Sequence, residues 1–213
     1  MQNNSPSTLT KFFGHVISFI FHPLFVPTYF ILYLIKVVPF EFVGITDWQL
    51  QLRVFSVFWL TAFFPAFAVF LLWRLKFSES IFLRTQKDRI IPYVIVMFFY
   101  WWMYYLSRNF SDQPIVLKYF YFGVFIASAL GLIVNNFIKV SLHGMGIGGL
   151  LTAVIFVGIK YPINNIIWDI AILFIAGIVI SARMMVSDHS NKELTIGLGI
   201  GIITQTLAYF WVG

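Results

Sequence analysis

The sequence predicts an all-α fold, a polytopic transmembrane bundle of six or seven helices, and three observations lead there. Hydrophobic residues make up 60% of the chain and charged ones 10%, with a mean hydropathy of +0.88. A soluble domain carries about 45–50% apolar and about 25% charged residues. The apolar residues fall into runs of roughly 20, the length a helix needs to cross a hydrocarbon core. The charged residues lie almost entirely between those runs. An aromatic content of 20%, including 26 Phe, suits lipid-facing helices and interfacial belts. Polar stretches are too short to form a separate soluble unit, so residues 1–213 read as one integral membrane domain.

Taken in order, spans are expected near 14–35, 54–73, 91–107, 116–138, 144–160, 166–183 and 195–212. The polar stretch from Met1 to Lys11 carries one cation. The apolar run after it is too long for a signal-peptide core and ends on no small-x-small site, so it is expected to stay as the first membrane helix. Pro39 closes that helix, while Pro23, Pro27 and Pro65 fall inside predicted spans and are expected to kink them. Pro92 is expected in the first turn of the third helix, and Pro162 separates the fifth from the sixth. Glycines 144, 146, 148 and 149 open the fifth helix, and Gly197, Gly199 and Gly201 sit early in the last. The third and fifth runs are short, and the count falls to six if one of them does not cross.

Charge and composition exclude several function classes. The net charge is +6, but no basic face is continuous and the aromatics lie in apolar runs, which argues against nucleic acid as a partner. The absence of Cys excludes disulfides, covalent haem attachment and thiolate metal sites. Metal-dependent membrane enzymes of lipid precursors need Asp-rich runs at three- or four-residue spacing. The eight acids of this chain form none. Asp188, His189 and Glu193 lack a second His at helical spacing, so no metal and no cofactor is expected. No obligatory protein partner is inferred.

Three polar clusters remain. The richest ends the sixth apolar run and contains Ser181, Arg183, His189 and Glu193. Ionisable groups beside lipid are costly and mark function by default. An Arg can grip phosphate with paired hydrogen bonds, a His can attack phosphorus, and a carboxylate four residues on can orient the ring. The second cluster is Ser141-Leu142-His143-Gly144, where the hydroxyl and the Gly N–H can hold phosphate oxygens at a helix N-terminus and His143 can supply a proton. The plainer reading is a Ser N-cap, an interfacial His and glycines that let helices approach closely. The third cluster, Arg84, Lys87 and Arg89, places three cations before a helix start, or else forms an ordinary positive loop. Two spans separate each cluster from the next, so an even number of crossings puts all three on one membrane face.

These residues resemble the type 2 phosphatidic acid phosphatase superfamily, membrane lipid phosphatases related to vanadium haloperoxidases. That superfamily carries Lys-x6-Arg-Pro, Pro-Ser-Gly-His and Ser-Arg-x5-His-x3-Asp. The third motif is matched by Ser181-Ala182-Arg183-x5-His189-x3-Glu193, with one residue inserted after the Ser and Glu in place of Asp. The second is matched by Val140-Ser141-Leu142-His143, without its Pro and Gly. In the first, Arg89 precedes Pro92 by three positions, and Phe82 stands where the Lys would fall, so Lys87 or Arg84 would substitute. The similarity covers roughly residues 84–193. The His22-Pro23 pair, with the Phe25 to Tyr29 stretch, is similar to a bacterial membrane branch of the same superfamily, and no role is assigned to it.

The resemblance implies a metal-independent phosphatase. His189 would attack phosphorus to form a phosphohistidine, with Glu193 orienting its ring, and His143 would protonate the leaving group and then activate water. Arg183, Arg89 and one of Lys87 or Arg84 would neutralise the equatorial oxygens, helped by Ser141 and the Gly144 N–H. The substrate expected at such a face is an amphiphilic lipid phosphate or isoprenyl pyrophosphate, with membrane lipids as surroundings. The alternative is an inactive bundle that binds an anionic lipid or takes part in transport, although neither repeats nor midplane breaks are evident.

Orientation is evenly balanced. The site side carries Lys11, Arg74, Lys76, Arg84, Lys87, Arg89, Lys139, Arg183 and Lys192, nine cations, against Lys36, Arg53, Arg108, Lys118 and Lys160, five. The raw positive-inside rule puts the site in the cytoplasm. With Arg84, Lys87, Arg89 and Arg183 set aside as ligands, the sides tie at five each. The resemblance then implies the outer, periplasmic face of a bacterial inner membrane.

Overall fold

The computed structural model describes residues 7–77, 85–162, 166–186 and 190–212. Among the described residues there are helices and turns but no strand. Seven helical segments are long and apolar enough to cross a membrane: Thr8–Val37, Asp47–Arg74, Gln86–Asn109, Ile115–Asn135, Leu142–Lys160, Ile166–Val186 and Asn191–Val212. The protein is an all-α, integral membrane bundle. Every expected span has its counterpart, and the third, expected to be short, runs to 24 residues.

The prolines act differently from the kinks expected of them. The first segment is two helices, α1 (Thr8–Ile20) and α2 (Val26–Val37), joined by a 3-10 turn over Pro23–Phe25. Pro23 and Pro27 each sit at the start of a new element, where a missing N–H removes no helical bond. The second segment begins with α3 (Asp47–Phe58), started by a reciprocal Thr46–Gln49 capping box, and continues through a π turn at Trp59–Phe63 into α4 (Phe64–Arg74). Pro65 cannot donate to residue 61, and the Phe64 N–H reaches back five residues to the Trp59 carbonyl.

Helix α5 (Gln86–Asn109) starts five residues before the expected position 91, because Thr85 and Asp88 form a capping box. Pro92 therefore lies inside that helix and not in its first turn. Helices α6 (Ile115–Asn135), α7 (Leu142–Lys160), α8 (Ile166–Val186) and α9 (Asn191–Val212) complete the chain.

The centre is built on α7 and α9, the most extensively packed pair, with α6 against α9 and α5 against α6. Gly144 and Gly148 of α7 face Gly197 and Gly201 of α9, each pair four residues apart and so on one helix face. A Cβ on Gly144 would lie 2.6 Å from the Leu194 carbonyl, and one on Gly201 2.6 Å from the Gly149 nitrogen. Only glycine lets the two backbones come this close, the small-xxx-small mode of membrane helix packing. Toward the other membrane face, α2 closes the core, with Phe30 stacked on Phe120 at 4.2 Å between centroids. There Arg53 and Asp112 form an ion pair that ties α3 to the turn before α6.

Candidate functional site

Helices α5, α7 and α9 all begin at the same end of the bundle, and α6 and α8 end there. The α5 start is tied to the α6 end by a reciprocal pair: Gln86 Nε2 donates to the Asn135 carbonyl at 2.8 Å, and Asn135 Nδ2 to the Gln86 carbonyl at 3.0 Å. Arg89, one turn into α5, is buried and donates from Nη1 to the Val140 carbonyl at 2.8 Å. Its charge also interacts with Glu193 at the start of α9. The Ser141 N–H donates to the Glu193 carbonyl at 3.2 Å, which locks the α7 and α9 starts together.

His143 lies in the first turn of α7, half-buried. Its Nε2 bonds the Ser18 carbonyl of α1 at 2.9 Å, and its ring stands edge-on to His22, with centroids 5.6 Å apart. Arg183, in the last turn of α8, is half-buried and within electrostatic reach of His22. The end of the bundle thus collects Arg89, Arg183, His143, His22 and Glu193. Beneath them lies an apolar floor of Tyr93, Ala127, Val140, Met145 and Ile200.

The described members of the three sequence clusters therefore lie at one end, as the crossing parity requires. Ser141 and Gly144 are present there but hold each other: the Ser141 Oγ accepts the Gly144 N–H at 3.3 Å as the N-cap of α7. Gly144 also carries the close approach of α9. Lys87 is exposed in the first turn of α5. His189 and Arg84 lie outside the described residues.

Two groups escaped the sequence reading. The Ser18 carbonyl is a backbone atom and has no residue signature. The Gln86–Asn135 pair joins residues 49 apart. His22 did have a signal, as a His-Pro inside an apolar run, but no spacing linked it to His143.

An apolar groove of about 800 Å³ runs between α1 and α8. It is lined by Phe13, Gly14, Ile17, Leu173, Gly177 and Ala182, and reaches Ser181 and Met185 on the same face of α8, a face that does not include Arg183. The arrangement gathers two guanidinium groups, an imidazole and a carboxylate at an end where three helices begin, each already capped by a side chain, Thr85, Ser141 or Ser190. Among the described residues, no three His, Cys, Asp or Glu side chains come together as a metal site.

No family model matches this chain, and neither a curated protein nor a solved structure matches it.

Proposed function

We propose that this protein is a membrane phosphatase of type 2 phosphatidic acid phosphatase character, acting on a lipid phosphate or isoprenyl pyrophosphate without a metal. The observation that carries the reading is the meeting of Arg89, His143, Arg183 and Glu193 at one end of the bundle, from segments far apart in sequence. Phosphoryl transfer needs mainly positioning and charge stabilisation, and these groups provide both.

In this reading His189, four residues before Glu193, bonds to phosphorus as the bond to the leaving oxygen breaks. His143 gives that oxygen a proton. Water then attacks the phosphohistidine while His143 takes its proton, and the phosphorus–nitrogen bond breaks to release phosphate and restore both histidines. Arg183 and Arg89 balance the charge of the equatorial oxygens. The apolar groove between α1 and α8 supports an amphiphile, whose chain would lie there while its phosphate meets the polar end of the bundle. In this reading the site faces the periplasm from a bacterial inner membrane.

The test is phosphate release by the detergent-purified protein from a panel of lipid phosphates and pyrophosphates, with chelator present and His189→Ala alongside. Chelator-resistant release that is lost in the folded variant is the expected result. Turnover that survives in His189→Ala overturns the mechanism. A folded wild-type protein that releases nothing favours the second reading, an anionic-lipid binder. The mutual engagement of Ser141 and Gly144 already lends that reading some support.

A further inference from the structure

The first membrane segment is broken at residues 21–25, and the break exposes the end of α1. A helix ends on carbonyls that have no donor within the helix. The Ile17 carbonyl accepts the Phe21 N–H at 2.9 Å, the Phe19 carbonyl the His22 N–H at 3.3 Å, and the Ile20 carbonyl the Tyr29 hydroxyl at 2.6 Å. The Ser18 carbonyl, on a buried residue, is taken by His143 Nε2 at 2.9 Å. In a helix that continued through residue 22, the His22 N–H would take the Ser18 carbonyl in place of His143 Nε2.

A carbonyl only accepts, so the hydrogen of this bond sits on His143 Nε2. In the neutral ring, Nδ1 is then the nitrogen that can take up a proton. His22 adds a second constraint. Its Nδ1 accepts the Leu24 N–H at 3.3 Å, which caps the 3-10 turn and fixes the ring. That ring stands at 79° to the His143 ring. The break, the cap and the ring contact all fall within five residues, and all bear on one imidazole.

We propose that the interrupted first segment is the positioning element for His143: the Ser18 carbonyl keeps the proton on Nε2, His22 braces the ring, and His143 exchanges protons through Nδ1. His22 is a positioning residue in this scheme. The catalytic meaning rests on the phosphatase reading, whereas the tautomer does not.

The experiment uses the full chain with 15N-labelled histidine in lipid nanodiscs. The chain has four His, so removing one at a time assigns the signals. The expected wild-type result is that the neutral His143 ring carries its proton on Nε2 alone, any second proton being taken up on Nδ1. His22→Asn keeps a cap acceptor for the Leu24 N–H but removes the ring, and His22→Ala removes both. In the asparagine variant kcat is expected to fall roughly tenfold or more with KM little changed, because misplacing a catalytic group slows the chemical step. In the alanine variant His143 is expected to populate both tautomers as well.

A neutral wild-type His143 ring with its proton on Nδ1, or a mixture of the two neutral tautomers, overturns the proposal whatever the activity. Unchanged kcat and an unchanged tautomer in both variants overturn the role of His22. If the wild type hydrolyses nothing, the phosphatase reading fails, and the tautomer in wild type and His22→Ala still decides the positioning claim.

Discussion

Single residues at the site end divide into those that build a helix start and those that bring charge. Ser141 is fully buried and its hydroxyl is occupied by the Gly144 N–H, so its job is to start α7. Arg183 is half-buried at a helix end, with its charge directed among the site groups. The two should therefore respond differently to substitution. Ser141→Ala is expected to cost about 1 kcal/mol of stability, as for other N-caps, seen as a lower thermal midpoint with little change in KM. Arg183→Gln is expected to lower kcat/KM about a hundredfold, the usual loss when a preorganised charge donor is removed. Arg183→Lys should rescue it poorly, since a point charge cannot reproduce a bidentate grip. A Ser141→Ala protein with intact stability and a large loss of substrate affinity would return the hydroxyl to the phosphate.

Elements are positioned by two devices, close glycine packing and chain breaks. Gly199 and Gly201 are two residues apart on α9 but meet different surroundings. A Cβ on Gly199 finds nothing within 4 Å, whereas one on Gly201 lies 2.6 Å from the Gly149 nitrogen and closer still to the Met145 carbonyl. Those are backbone atoms and cannot rotate away. Gly201→Ala is expected to destabilise by about 1–3 kcal/mol, the range for overpacking. Gly199→Ala is expected to be neutral or stabilising by up to about 1 kcal/mol, since alanine is the better helix former. Thermal unfolding of both variants in one detergent checks the pair, and equal midpoints would contradict the α7–α9 contact. Because the α7 and α9 starts carry His143 and Glu193, loosening this contact should lower activity along with stability.

On the scale of the whole molecule, the surface follows from the solvent. Only 17% of the apolar window of α8 is buried inside the protein, and Phe98, Trp101, Ile167 and Phe174 are exposed, as expected where lipid covers the helices. Arg89, His143, Arg183 and Glu193 gather at one end, so orientation decides which compartment meets the site. The chain has no Cys, which makes single-cysteine labelling clean. Lys87 and Arg108 are exposed at opposite ends of α5, one on the site side and one away from it. With a periplasmic site, Lys87→Cys should react with a membrane-impermeant maleimide in intact cells, and Arg108→Cys only after permeabilisation. The reverse pattern would place the site in the cytoplasm and reject the assigned face.

Membrane class, helix number and the shared face of the three clusters were legible in the sequence. Each depends on local quantities: run length against bilayer thickness, and the parity of crossings between charged segments. The Arg183 to Glu193 spacing was legible for the same reason, since it lies along one stretch of chain. Tertiary structure decided the rest. It turned Pro23 from a kink into the start of a new element, assigned Ser141 to a cap, paired Gln86 with Asn135, and brought the Ser18 carbonyl to His143 across 125 positions. A backbone carbonyl is identical at every residue. Only packing reveals which one is left without a helical donor and what side chain arrives to use it.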